Sequence, residues 1–273
     1  LVALAREEND QFAVAVDAVN NLAVVASDSN EGLVECPPNP FCGCECRCPF
    51  IKEYGGEIFM VDFTIPSDPV FLNSIDFNRQ SGENPADVKL AGSTILATTG
   101  TTVVVGTACD SDEPSKPRNL KRSEEEFRPD GKGSFQIVEY GSPVPHPVGS
   151  VELDGPGAAV AVLEHLQTAV VAADEAGLYF IDYSVQTDPR VITTVKLTEE
   201  TAVNPGRPAD LDIRGNLLFV AAKEGGVQIF DISEIDNPRL ISAGNTEYAA
   251  DITIVEDTVV TDSAGEGIVT LSI

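Results

Sequence analysis

The sequence predicts an all-β fold in which about five four-stranded sheets are arranged around a common axis. Short runs of β-branched and aromatic residues alternate with Gly, Asn, Asp and Pro, as in antiparallel meanders. The pattern also recurs: Asp182 and Pro189 have equivalents at Asp231 and Pro238, each 49 residues later. Because one small sheet cannot bury both of its faces, such copies must stack on each other.

The unit to which the other copies are compared spans residues 208–246, and its clearest copy is 158–197. The unit contains four apolar runs, Ala209–Ile213, Leu217–Ala222, Val227–Ser233 and Leu240–Ala243. Gly215-Asn216, Gly225-Gly226 and Asp236-Asn237-Pro238 separate them. Each run is too short for a helix and each gap suits a tight turn, so the unit is predicted to be one four-stranded sheet.

Three further copies follow the same order. Residues 158–197 match without interruption, and residues 12–77 match with an insertion. In the second copy, Ile95–Ala108 overlays Val14–Ser27 as two strands, and Phe135–Tyr140 and Val148–Leu153 supply the others. This alignment leaves 78–92 as a long connector, although Pro85-Ala86-Asp87-Val88 also resembles Pro208-Ala209-Asp210-Leu211.

The last copy has three strands, Ala250–Ile254, Val259–Asp262 and Ile268–Ile273. Leu1–Arg6 followed by Phe12-Ala-Val-Ala has the pattern of a fourth strand that leads into a first one. We therefore predict that the N-terminal strand completes the last sheet, either in its own chain or in a neighbouring subunit. Closure of this kind removes exposed strand edges.

Two segments carry a family resemblance. Gly177–Ser184 and Gly226–Ser233, each followed by an Asp-Pro or Asn-Pro pair, resemble LVIVD-type β-propeller repeats. The resemblance covers most of the chain and is weaker in 86–155, where Glu139 replaces the Asp. It implies a β-propeller, mostly of the surface or secreted kind, without an established catalytic role.

The composition limits the class of partner. The chain has 44 acidic and 17 basic residues, a formal charge of −27, which disfavours nucleic acid and anionic lipid. No apolar run is long enough to cross a membrane. The sequence begins at Leu1 and its single Met is Met60, which suggests that a signal peptide has been removed. We expect an extracellular or cell-surface protein.

Two insertions interrupt what we predict to be a single propeller domain over 1–273. They span 28–56 and 109–132, follow the second strands of their blades, and should lie on one face. Six cysteines fall there: Cys36, Cys42, Cys44, Cys46, Cys48 and Cys109. Disulfides are the favoured interpretation, with the pairing left open. The alternative, a thiolate metal or redox site, fits less well because structural zinc sites seldom have one-residue gaps between cysteines.

No nucleophile elbow, phosphate loop or zinc-protease motif occurs. His146 and His165 are expected to be exposed turn residues. Asp62, Asp182 and Asp231 recur where third strands end, and should bond nearby backbone. No cofactor is predicted; calcium is a candidate only because Asp110, Asp112 and Glu113 resemble half of a calcium loop.

Asp210, Asp212 and Asp251 lie near innermost strands and are candidate channel carboxylates. There they would line a solvated channel, bind a cation, or act as acid and base. The leading functional hypothesis is a non-enzymatic interaction or structural-assembly module that binds a protein partner or a second copy. A filament would result if the N-terminal strand completed a neighbour's sheet. The alternative is a hydrolase or lyase that uses the channel carboxylates.

Overall fold

A computed structural model describes residues 11–29, 55–76, 84–100, 103–104, 127–128, 131–141, 144–198, 205–243, 246–263 and 267–272. Within these ranges the chain is a five-bladed β-propeller of antiparallel sheets. The only helical segments among the described residues are two short 3₁₀ turns, Glu164–Leu166 and Asp174–Ala176. The predicted fold class is confirmed. None of the described helical segments is long and apolar enough to span a membrane.

Each blade is a meander whose first strand lies innermost. Blade 1 contains β1 (Gln11–Val19), β2 (Leu22–Ser29), β3 (Gly55–Asp62) and β4 (Val70–Asp76). Blade 2 contains β5 (Asn84–Ala91), β6 (Thr94–Gly100), β9 (Gly133–Glu139) and β10 (His146–Leu153). Between β6 and β9, the short strands β7 (Val103–Val104) and β8 (Phe127–Arg128) pair with each other.

The other three blades follow without insertions. Blade 3 contains β11 (Ala159–Leu163), β12 (Thr168–Ala172), β13 (Leu178–Asp182) and β14 (Arg190–Val195). Blade 4 contains β15 (Asp210–Arg214), β16 (Leu217–Ala221), β17 (Val227–Asp231) and β18 (Arg239–Ala243). Blade 5 contains β19 (Ile252–Val255), β20 (Thr258–Ser263) and β21 (Gly267–Ser272), three strands among the described residues.

The turn chemistry explains why the strands end where they do. Asn20 and Asn21, at φ 51° and 68°, form the left-handed hairpin turn between β1 and β2. Asp62, Asp182 and Asp231 end their third strands and each accepts the backbone N–H two residues later, at 2.8, 2.8 and 3.0 Å. These bonds lower the pKa of the Asp182 and Asp231 carboxyl groups. The pKa of Asp62 is lowered first by a hydrogen bond from the Thr64 hydroxyl and then by the backbone bond. The predicted turn role is confirmed.

The hydrophobic core consists of separate layers between the blades. Four clusters of buried side chains lie at the contacts of blades 1 and 2, 2 and 3, 3 and 4, and 4 and 5. Phe180 and Phe230, both fully buried, anchor the contact of blades 3 and 4. Among the described residues no such cluster joins blade 5 to blade 1. We call the facing surfaces of these two blades the terminal seam.

The sequence-based prediction was wrong for one strand, the first strand of blade 2. Residues 78–92 are not a connector, because 84–91 form β5, the innermost strand of blade 2. Ile95–Ala108 correspondingly does not supply the first two strands of this blade; β6 is a single strand within it. A register shift between Pro85 and Asp87 breaks the alternation of β5, which conceals it in a pattern search.

Several predictions lie outside the described residues. They concern the N-terminal strand Leu1–Arg6, all six cysteines, and the half calcium loop at Asp110, Asp112 and Glu113. In blade 1, β2 ends at Ser29 and β3 begins at Gly55; in blade 2, β6 ends at Gly100 and β9 begins at Gly133. The second strand of blade 2 therefore ends before Ala108, where the sequence placed its end.

Two glycines provide a test of blade packing. Gly215 and Gly226 have similar φ values, 61° and 65°, so Ala is strained at both. A Cβ at Gly215 meets nothing within 4 Å, whereas at Gly226 it would lie 2.3 Å from the Thr246 carbonyl oxygen. We expect Gly215→Ala to lower the free energy of unfolding by about 1 kcal/mol, and Gly226→Ala to lower it by clearly more. Urea unfolding of the two variants measures the difference, and equal losses would contradict the packing described here.

Candidate functional site

The innermost strands β1, β5, β11, β15 and β19 surround the propeller axis. Each is an edge strand, hydrogen-bonded to its own blade on one side only. Among the described strands, the N–H groups on the other edge therefore have no strand partner. Buried backbone donors need an acceptor, so the axis of this fold creates a demand for hydrogen-bond acceptors.

Aspartates supply these acceptors at three contacts between blades, those of blades 1 and 2, 2 and 3, and 4 and 5. Asp17 Oδ2 on β1 accepts the backbone N–H of Leu90 on β5, at 2.6 Å. Asp87 Oδ2 on β5 accepts the N–H of Val160 on β11, at 2.8 Å. Each carboxylate thus joins one innermost strand to the next. We call this contact an inter-blade clamp.

Blade 4 carries two clamps on blade 5. Asp210 Oδ2 accepts the N–H of Ile252 at 2.8 Å, and Asp212 Oδ2 accepts the N–H of Ile254 at 2.7 Å. Asp212 Oδ1 also accepts the N–H of Ile213, its own neighbour, at 2.7 Å. Asp17 and Asp87 bond the residue that follows them in the same way. Both oxygens are therefore engaged, which fixes the carboxylate between the strands.

The contact of blades 3 and 4 has a different polar link. β11 has no carboxylate, and Ala159 and Ala161 pack in the apolar layer. Away from the axis, the buried carboxylate of Asp174 accepts a 2.5 Å hydrogen bond from Lys223 Nζ of blade 4. Arg207 Nη1 lies 3.5 Å from the other oxygen. Removing one partner from a buried pair of this kind is strongly destabilising.

The three predicted channel carboxylates do converge. Asp210, Asp212 and Asp251 line one cavity of about 370 Å³, together with Lys89 and Thr253. Burial, with a hydrogen bond to Asp251, raises the pKa of Asp210 to about 7. Burial also raises the pKa of Asp87. The Asp210 carboxyl group is therefore only partly ionised near pH 7.

This arrangement limits the chemistry available to the carboxylates. The Asp210 and Asp212 oxygens that face blade 5 already accept backbone N–H groups, so neither side chain is free to bind a substrate on that side. In the part of the chain that the structure describes, no three His, Cys, Asp or Glu side chains are grouped to hold a metal ion.

Both histidines are exposed, as predicted. His165 lies in the 3₁₀ turn between β11 and β12, beside an open hollow of about 680 Å³. His146 is the first residue of β10 rather than part of a turn, because β10 pairs with β9 from this residue onward. Its Nε2 atom lies 3.9 Å from a carboxylate oxygen of Glu139.

Sequence reasoning missed two of the four clamping aspartates, Asp17 and Asp87. A positional signal could have found them. Every clamping Asp lies two or four residues before the last residue of the first strand of its blade. Asp17 lies two residues before Val19, the end of β1, and Asp87 lies four residues before Ala91, the end of β5. This spacing becomes visible only when the first strands are correctly aligned, and β5 was not.

Comparisons with known proteins inform the fold alone. No protein-family model matches the chain, and no curated protein matches it. The solved structures that match include 620 chains. One is the crystal structure of the computationally designed Ika4 protein, with 9% identity and a TM-score of 0.46 over 69% of this chain and 91% of that chain. The LVIVD resemblance remains a prediction.

The clamp makes a testable contribution to stability. Asp87→Ala leaves the N–H groups of Val88 and Val160 without their acceptor, and should lower the free energy of unfolding by about 1–3 kcal/mol. Asp87→Asn keeps one acceptor oxygen and loses a charge that burial disfavours, so it should lose less. The advantage of Asn should grow as pH rises through the raised pKa of Asp87, because only the carboxyl ionises.

Urea unfolding at pH 5 and pH 8 measures both effects. Glu247→Ala, at an exposed position, is the control and should change stability by less than about 0.5 kcal/mol. An Asp87→Ala variant as stable as this control would show that the clamp contributes nothing.

Proposed function

We propose that this chain is a non-enzymatic β-propeller that acts outside the cell as an interaction or structural-assembly module, and that its two end blades form the contact with a second copy. The observation that carries the proposal is the exposure of apolar side chains on blade 1. Val14 and Val16 on β1 are 49% and 54% exposed.

Comparison with the other blades shows that this exposure is unusual. Val16 lies three residues before the end of its strand. The residues at the same position in the other innermost strands are Val88, Val160, Leu211 and Ile252, and each is at most 6% exposed. They are buried because the preceding blade packs on them. Val16 is thus a core position that none of the described blades covers, and an uncovered apolar surface of this kind favours association.

Blade 5 offers the complementary surface. Ile268 on β21 and Val255 on β19 are 78% and 55% exposed. β21 pairs only with β20 among the described strands, so its outer edge is available for a further strand. The predicted strand Leu1–Arg6 suits this edge. When it comes from a second copy, contact of end blade with end blade links subunits head to tail.

Charge and chemistry agree with this function. Two of the three channel carboxylates are clamps between blades, which accounts for their presence without catalysis. The formal charge of −27 makes copies repel each other, so association should strengthen with salt. The proposal involves no resident metal or cofactor. It takes the six cysteines as disulfides of an oxidising compartment, in keeping with the LVIVD resemblance.

One observation favours the alternative, a hydrolase or lyase: Asp210, Asp212 and Asp251 share one cavity. That function requires at least one of them to act on a substrate. On our proposal, Asp210→Asn, Asp212→Asn and Asp251→Asn leave unchanged any hydrolytic or lyase activity detected in a panel of glycoside and polysaccharide substrates. A loss of about 100-fold in one variant, with its fold intact by circular dichroism, would establish the enzyme instead.

The assembly is tested by light scattering coupled to size exclusion. We expect the molar mass of the wild type to rise with protein concentration and with salt. Val16→Asp places a charge on the exposed face of β1 and should shift the protein to monomer. Val191→Asp is the matched control, since Val191 is 42% exposed on the outer strand of blade 3 and should not alter the mass. A wild type that stays monomeric throughout would overturn the assembly role.

A further inference from the structure

The propeller axis carries two layers of equivalent side chains. One layer lies two residues before the last residue of each innermost strand, and the other lies four residues before it. The first layer consists of Asp17, Lys89, Ala161, Asp212 and Thr253. The second layer consists of Ala15, Asp87, Ala159, Asp210 and Asp251. Because side chains two residues apart share one side of a strand, both layers lie on the same side of each strand.

Three polar side chains of these layers take no part in a clamp. The four clamping aspartates account for four of the seven polar members, which leaves Lys89, Asp251 and Thr253. All three line the cavity of about 370 Å³ described above. Its lining residues lie on, or directly before, the innermost strands of blades 2 to 5, so we call it the axial cavity. The polar groups that the fold does not use for clamping therefore meet in one place.

Lys89 differs from the other cations around it. Arg207 and Lys223 both lie within ion-pair distance of the Asp174 carboxylate. Lys89 forms no ion pair or hydrogen bond with a described residue, and its charge acts through space on Asp87 of the same strand. Both oxygens of Asp87 already accept backbone N–H groups. The ammonium group of Lys89 is thus available in the cavity to an anionic group of a ligand.

The opposite charge in the cavity comes from Asp251. This residue is exposed, and among the described residues its side chain accepts no backbone N–H. Its neighbours Asp210 and Asp212 line the same cavity, so an ammonium group placed there would meet several carboxyl groups at once. An ammonium group has three N–H donors and suits such a set of acceptors. Thr253 adds a hydroxyl group, which can both donate and accept.

We propose that the axial cavity binds a small zwitterion, an α-amino acid, between Lys89 and Asp251. The ligand carboxylate accepts hydrogen bonds from Lys89 Nζ, and the ligand ammonium group donates to the carboxylate of Asp251. The volume of about 370 Å³ falls within the range of small-molecule sites, roughly 300–1,000 Å³. This binding goes beyond the proposed assembly role and does not depend on it, because the assembly uses the terminal seam.

Titration calorimetry on the full chain tests the proposal with matched fragments. Each common L-amino acid is titrated first, and at least one should bind. For L-alanine, propionate is the fragment that lacks the ammonium group and ethylamine is the fragment that lacks the carboxylate. The intact amino acid should bind about 10-fold more tightly than either fragment, since each fragment leaves one charged group of the cavity without its partner.

Two substitutions identify the groups responsible. Lys89→Met keeps the length of the side chain and removes its charge, and Asp251→Asn keeps the shape and removes the charge. Each should weaken binding by about 10-fold. Neither residue is a clamp, so both variants should fold, which circular dichroism checks. Lys196→Met and Glu247→Gln, at exposed positions outside the cavity, are the matched controls and should bind as the wild type does.

Three results would overturn the proposal. The first is no binding of any common amino acid at millimolar concentration, and the second is equal affinity for L-alanine and ethylamine. The third is unchanged affinity in Lys89→Met. Nuclear magnetic resonance of the bound amino acid separates the inference from the proposed function. An amino acid returned unchanged agrees with both, whereas one converted to a product supports the site and contradicts the non-enzymatic role.

Discussion

The structure depends on how the propeller satisfies the backbone N–H groups that converge on its axis. Five innermost strands each present an edge with no strand partner, and water alone cannot serve donors packed between blades. Aspartates provide the acceptors: their two carboxylate oxygens accept hydrogen bonds from the N–H groups of two adjacent blades. The side chain is short enough to stay in register with the strand, and its two oxygens can accept hydrogen bonds from two donors at once.

Holding a carboxyl group between two strands costs free energy, and the raised pKa values of two of these groups reflect that cost. A carboxylate held between strands loses hydration, and the pKa values of Asp87 and Asp210 rise as a result, although both accept backbone hydrogen bonds. Blades 3 and 4 avoid the cost at the axis. There Ala159 and Ala161 join a large apolar layer, and the polar link is the Asp174–Lys223 pair away from the axis.

Most of the fold could be predicted from the sequence because the turn residues of each repeat mark where its strands end. The Asp-to-Pro turns after the third strands predicted three of the five blades in order, blades 1, 3 and 4. β5 was missed because a bulge beside Pro85 broke its alternation. The site was only partly accessible. Asp210, Asp212 and Asp251 were identified as channel residues, but a clamp is a contact between blades, and no periodicity within one strand reveals its partner.

The contrast between the terminal seam and the other four contacts follows from the architecture of stacked repeats. In such proteins stability is approximately a sum of terms from neighbouring units, so one interface can change while the others hold. Blades 1 to 5 are joined in series by four apolar layers, and the polar links between them run along the same series. Among the described residues no apolar layer joins blade 5 to blade 1, and Val16 on β1 is exposed where its counterparts in the other four blades are buried.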